Sequence, residues 1–135
     1  MSDRAKVGIV LVSHSAALAE GTAELAGQIS GGTVTIATAG GTDDGRIGTS
    51  IAKVETAIRL ADAGAGVLIL PDLGSSVLTV RALLADAEDD LPEPVAVADA
   101  PFVEGTVAAT VTAATGGDLK AVLDAAEEAR HARKL

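Results

Sequence analysis

Val7-Gly8-Ile9-Val10-Leu11-Val12-Ser13-His14-Ser15 is an aliphatic run, interrupted only by Gly8, that ends in a histidine between two serines. Such a run suits a strand buried on both faces of a parallel sheet. Beyond it Leu18, Thr22, Leu25 and Ile29 recur at helical spacing, Ser15 is a fitting N-cap, and Ala16, Ala17 and Ala19 favour the helix. Strand followed by helix puts His14 at the carboxyl end of the first strand, beside a helix N-terminus. Open α/β sheets place ligands there, and unpaired N–H groups and the helix dipole favour an anion such as phosphate. His14 is the candidate chemical centre.

Working outward, Gly31-Gly32 breaks the helix, and Val34 and Ile36 alternating with threonines predict a second strand over 33–38. Ala39-Gly40-Gly41-Thr42-Asp43-Asp44-Gly45-Arg46 predicts an exposed, tightly turned loop able to approach a ligand. Ile47, Ile51, Val54, Ile58 and Ala61 mark one face of a second helix, closed by Gly64 and Gly66. Val67-Leu68-Ile69-Leu70 predicts a third buried strand, ending at Pro71-Asp72-Leu73-Gly74-Ser75-Ser76. Ser75 or Ser76 can cap a helix carrying Val77, Val80, Leu84 and Ala87 on one face. Asp72 therefore follows a buried strand as His14 does, and in a parallel sheet the two tips share an edge.

Residues 93–98 predict a short fourth strand, and Asp99-Ala100-Pro101 a helix start with proline in its first position. Val103, Val107, Val111 and Ala114 give one further helical face, with strand pairing of 106–115 as the alternative; Leu119, Val122, Leu123 and Ala126 give another. The basic end, Arg130 to Lys134, suits a helix C-terminal dipole, with His131 a solvated member. No repeat or linker interrupts the pattern. The expectation is a single α/β domain over 1–135, an open, mainly parallel four-stranded sheet flanked by helices.

Composition narrows the function. A chain of 135 residues that is 48% hydrophobic is neither disordered nor too small to bury a core. Its one aromatic residue, Phe102, leaves no stacking platform for single-stranded nucleic acid, and a net charge of −9 repels phosphate backbones. No nucleic-acid partner is expected. The absence of cysteine excludes disulfides, thiolate nucleophiles and Cys-based zinc sites. No apolar run reaches the roughly 20 residues needed to span a bilayer, and Ser2-Asp3-Arg4 lacks signal-peptide character. A cytoplasmic protein with no membrane partner is expected.

A lone histidine after a strand is most simply a hydrogen-bonded structural residue. Beside Asp72 it gains a second reading, because a carboxylate that accepts the Nδ1 proton fixes one tautomer and leaves Nε2 as a nucleophile. Phosphoryl transfer suits such a pair, since its loose transition state asks mainly for positioned donors around the equatorial oxygens. Candidates are Ser13 and Ser15 beside the histidine, the Gly40-Gly41-Thr42 loop and the Gly74-Ser75 turn. Each has a plainer role: glycine loops turn chains, Ser75 can be only a cap, and Asp43-Asp44 suits solvated surface better than a metal site. No phosphate-loop motif, nucleophile-elbow motif or histidine pair at metal-ligand spacing occurs. A Ser75–His14–Asp72 hydrolase is conceivable, although no oxyanion loop is evident.

Taken together these residues resemble a known family. Val10-Leu11-Val12-Ser13-His14-Ser15, Leu18-Ala19-Glu20-Gly21, Ala39-Gly40-Gly41, Ile47-Gly48-Thr49-Ser50, Gly66 to Leu70, Asp72-Leu73-Gly74-Ser75 and Pro101-Phe102-Val103-Glu104-Gly105 look like the corresponding segments of the DhaM family. DhaM proteins are the phosphotransferase subunits of phosphoenolpyruvate-dependent dihydroxyacetone kinase, and the similar part is their mannose-type enzyme IIA domain. The resemblance implies a homodimer with a transiently phosphorylated histidine at His14 and Asp72 as its partner. It implies a phosphoryl group received from the carrier HPr, itself charged by enzyme I, and passed to ADP held on the DhaL subunit. The rebuilt ATP then phosphorylates dihydroxyacetone on DhaK, and the chain itself holds no cofactor or metal. Two departures stand out. Ser76 replaces the alanine common in the family, a change expected to be tolerated, and the HPr-like and enzyme I-like domains fused in some members are expected to be borrowed from other proteins.

Two further readings stay open: a mannose-type sugar-transport enzyme IIA donating to an enzyme IIB protein, and a regulatory or ligand-binding module of the same fold. The stretch after the aspartate, Asp72-Leu73-Gly74-Ser75, favours DhaM over the transporters by the same resemblance.

Overall fold

The computed structural model describes residues 5–86 and 90–135. Four strands, β1 (Gly8–Ser13), β2 (Ile36–Gly40), β3 (Val67–Pro71) and β4 (Val95–Val97), form one parallel sheet in the order β2-β1-β3-β4. Around it lie α1 (Ala16–Ser30), α2 (Ile51–Ala61), α3 (Gly74–Asp86), α4 (Phe102–Ala114) and α5 (Leu119–Glu128). The expected fold class is borne out. The chain leaves β1 for β2 on one side, then crosses back over β1 to reach β3. Strand order therefore reverses between β1 and β3, the place where open sheets form ligand crevices at their carboxyl edge.

Two cores flank the sheet. Val10, Val12, Val67 and Ile69 pack with Val54, Ile58, Val80 and Leu83 from α2 and α3. On the other face Ile9, Leu11, Leu68 and Leu70 meet Ala109, Ala113, Val122 and Ala126 from α4 and α5. Burying each large aliphatic side chain stabilises by about 1.5–3 kcal/mol, and β1 and β3 bury theirs on both faces, which anchors the two tips.

Several helical faces differ from the predicted ones. In α1 Ala19, Thr22 and Ala26 are buried while Leu18, Leu25 and Ile29 are exposed. In α4 Gly105, Thr106, Ala109, Thr110 and Ala113 are buried, and Val103 and Val111 lie outside the core. These helices pack on each other and over the sheet, and small side chains permit the close approach. Residues 106–115 are helical rather than extended until the cap at Thr115. Ile47 precedes α2, which starts after Ser50 accepts the Lys53 N–H as its cap.

Boundaries shift as well. β2 starts at Ile36, opposite Ile9, three residues later than predicted, with the Thr35 carbonyl still accepting the Ile9 N–H at 3.0 Å. Pro101 is the N-cap of α4 rather than its first residue. Ala87, assigned to the α3 face, and Ser2-Asp3-Arg4 fall outside the described residues. Among the described residues no helix is long and apolar enough to cross a membrane.

Candidate functional site

Sheet register brings the two tips together. Ser13 lies opposite Gly40 and Val12 opposite Pro71, and the Asp72 N–H extends the ladder by donating to the Val12 carbonyl at 2.9 Å. Ser15 caps α1, its hydroxyl accepting the Leu18 N–H at 3.2 Å. The His14 carbonyl accepts the Gly48 N–H at 2.9 Å, which ties the histidine to the loop after β2.

Asp72 is the most densely bonded group of the site, its side chain 7% exposed against 19% for His14. Oδ2 accepts the His14 backbone N–H at 3.0 Å and the Ser13 hydroxyl at 2.9 Å. Oδ1 accepts the Leu73 N–H at 2.7 Å and faces His14 Nδ1 at 2.9 Å and Ser76 Oγ at 3.1 Å. Burial, the largest single influence, pushes the carboxyl group up; the bonds from His14, Ser13 and Ser76 together outweigh it and hold Asp72 below the usual carboxylate range. An ionised carboxylate only accepts, so the ring proton sits on Nδ1 and the lone pair on Nε2. Ser75 Oγ lies 2.5 Å from Nε2 and donates to it.

Of the residues singled out in the sequence, His14, Asp72, Ser13 and Ser75 are thus in direct contact, and Ser15 joins them through its N–H to Ser13 Oγ at 3.0 Å. The expectation that Gly40-Gly41-Thr42 offers free donors is corrected. A Cβ on Gly40 would lie 2.5 Å from Ala16 Cα, so glycine is there to let the end of β2 pass close to α1. Gly41 adopts φ +76° and gives its N–H to the Ser13 carbonyl, while the Thr42 N–H goes to the Arg46 carbonyl. Thr42 Oγ1 bonds Asp44 and the Arg46 N–H inside the loop. Gly74 and Ser75 instead open α3, and among the described residues their N–H groups have no acceptor, so the first turn of this helix is where donors stand ready.

That helix start also corrects the capping role proposed for Ser75 and Ser76, since both lie inside the first turn. Ser75 is left free to meet His14. Ser76, fully buried, was read from the sequence only as a cap and as a tolerated departure from the family's alanine, and its contact with Asp72 was missed. A hydroxyl four residues after an aspartate at a helix start was the available signal, because i and i+4 meet on one helical face. Among the described residues no group of three His, Cys, Asp or Glu is arranged to hold a metal ion.

With the histidine and carboxylate placed together at the strand-order reversal of a small parallel sheet, the chain as a whole can be set beside known proteins. The family model EIIA-man, the PTS system fructose IIA component, matches residues 8–123, and the chain belongs to this family. Within it, the chain is similar to proteins named as the phosphoryl donor subunit DhaM of PEP-dependent dihydroxyacetone kinase, as the motifs led one to expect. Identity is 42% to that of Pantoea ananatis and 40% to that of Escherichia coli K12, each over 95% of this chain. The chain spans 28% of the length of both. A Listeria innocua DhaM is 35% identical over 87% of this chain and 94% of its own length. A crystal structure of EF1359, a protein of unknown function, superposes with a TM-score of 0.81 at 36% identity, covering 92% of this chain and 95% of that one.

Proposed function

We propose that this chain is a cytoplasmic phosphohistidine carrier that accepts a phosphoryl group from phospho-HPr on His14 and delivers it to ADP bound on a DhaL subunit, where the rebuilt ATP serves dihydroxyacetone held by DhaK. It acts as a homodimer and holds no metal or cofactor of its own. The observation that carries the reading is the bonding of Asp72 to Nδ1, which leaves Nε2 unprotonated at an accessible tip. In uptake the Nε2 lone pair attacks phosphorus, the donor's P–N bond breaks, and its electron pair stays on the donor nitrogen. The Nδ1 proton remains on the ring, whose new positive charge faces Asp72. Ser75 rotates from Nε2 to a phosphoryl oxygen, joined by the N–H groups that open α3. Discharge reverses these bonds onto ADP.

Exposed Ile47 and Leu73 flank this tip, and an acidic chain suits a basic carrier face. The DhaM names of relatives of near-equal length support this acceptor over an enzyme IIB protein. Intact mass after incubation with phosphoenolpyruvate, enzyme I and HPr, with a control lacking HPr, followed by ADP-loaded DhaL, tests the reading. Expected is one acid-labile phosphoryl group that requires HPr and is discharged by DhaL. Uptake without discharge points to a sugar-transport role, and no uptake overturns the carrier.

A further inference from the structure

We propose that Ser76 is a positioning residue for this transfer, its buried hydroxyl holding Asp72 so that the proton stays on His14 Nδ1 while Nε2 carries the phosphoryl group. This role rests on the carrier reading above. Ser76 is fully buried in the first turn of α3, and its Oγ lies 2.6 Å from the Leu73 carbonyl and 3.1 Å from Asp72 Oδ1, while accepting the Leu73 N–H at 3.2 Å. One hydroxyl proton thus has two acceptors within reach, and one of them is the carboxylate oxygen that faces the ring.

The choice of oxygen gives the contact its chemical meaning. When phosphoryl leaves Nε2, the N–P electron pair returns to the ring. With Nδ1–H in place the departing group is neutral imidazole; had the proton moved to Asp72, it would be imidazolate, a far poorer leaving group. Donation from Ser76 to Oδ1 lowers that oxygen's basicity and works against proton capture. Ser13 performs the same service on Oδ2.

Among the described residues, few titratable groups face Asp72. His14 comes from the β1 tip, and Arg81 of α3 and Asp99 beyond β4 line the cleft beside it. Asp99 pairs with Arg130 at 3.4 Å. In the loop after β2, Asp43 bonds Ser50 and Asp44 pairs with Arg46. A Ser76 substitution touches none of these other groups.

The test is Ser76→Ala beside Ser76→Thr, with discharge rate followed against pH and the His14 Nδ1–H and Asp72 carboxyl signals followed by NMR. Alanine folds, because the Leu73 N–H still holds Oδ1 at 2.7 Å. It slows discharge roughly three- to tenfold, the weight of one hydrogen bond. Its acid limb moves to higher pH, since Asp72 with one donor fewer protonates sooner, and threonine moves both back toward wild type. A pH profile and NMR titration in Ser76→Ala that coincide with wild type overturn the role and reduce Ser76 to a bond back to Leu73. If wild type takes up no phosphoryl group the carrier reading fails and this role with it, whereas uptake with unchanged profiles removes Ser76 alone. Should threonine fail to fold, the alanine profile and titration decide.

Discussion

His14 and Asp72 lie 58 residues apart in sequence and meet because each follows a strand that the core grips on both faces. On the carrier reading, His14→Ala abolishes phosphoryl uptake in the intact-mass assay and leaves the circular dichroism of the fold unchanged. Asp72→Asn lowers the uptake rate on the order of a hundredfold or more, as an amide no longer fixes the tautomer or balances the charged ring. A stability effect follows from the same carboxylate, because its folded value lies below the ordinary 3.8. Its stabilisation is fully present above 3.8 and is lost as pH falls through the lower folded value. Urea midpoints taken down through this range fall less steeply for Asp72→Asn than for wild type. The pairing of these two side chains was legible from two aliphatic runs that both end in polar chemistry. Ser76 was not, because its contact depends on α3 starting at Gly74, and a serine after Asp-Leu-Gly-Ser reads equally well as a cap.

At the scale of elements, sequence period and side-chain size point in different directions. Of the predicted α1 face Thr22 is buried, beside Ala19 and Ala26, while Leu18, Leu25 and Ile29 are exposed, so the smaller side chains face inward. Periodicity therefore identified the helix and misplaced its face, as it did for the valines of α4. The strands were clearer because β1 and β3 are aliphatic on both sides and need no choice of face. Glycines report the same close packing. Gly40→Ala sets a methyl 2.5 Å from Ala16 Cα and 2.9 Å from the Ser15 carbonyl, both backbone atoms. It destabilises by about 1–3 kcal/mol as the β2 tip and α1 are pushed apart. Gly21→Ala, inside α1 with nothing within 4 Å of the new methyl, stabilises by about 0.5–1 kcal/mol. Denaturant midpoints of the two variants move in opposite directions.

For the whole molecule, the net charge of −9 acts beyond any single contact. On the carrier reading, association with a basic phosphoryl donor slows about tenfold or more between low salt and ~0.5 M salt, which stopped-flow uptake reads directly. An uncharged dependence would leave docking to apolar side chains such as Leu73. The open tip has a further effect. Among the described residues Ser75 is the one hydroxyl placed on Nε2, and the His14 side chain keeps 19% of its surface exposed. On the carrier reading, a phosphorylated ring there meets water whenever no partner covers it, and hydrolysis sets its lifetime. A chain charged in that way is perishable: it would relay energy only as fast as donor and acceptor reach it, and would store none for later.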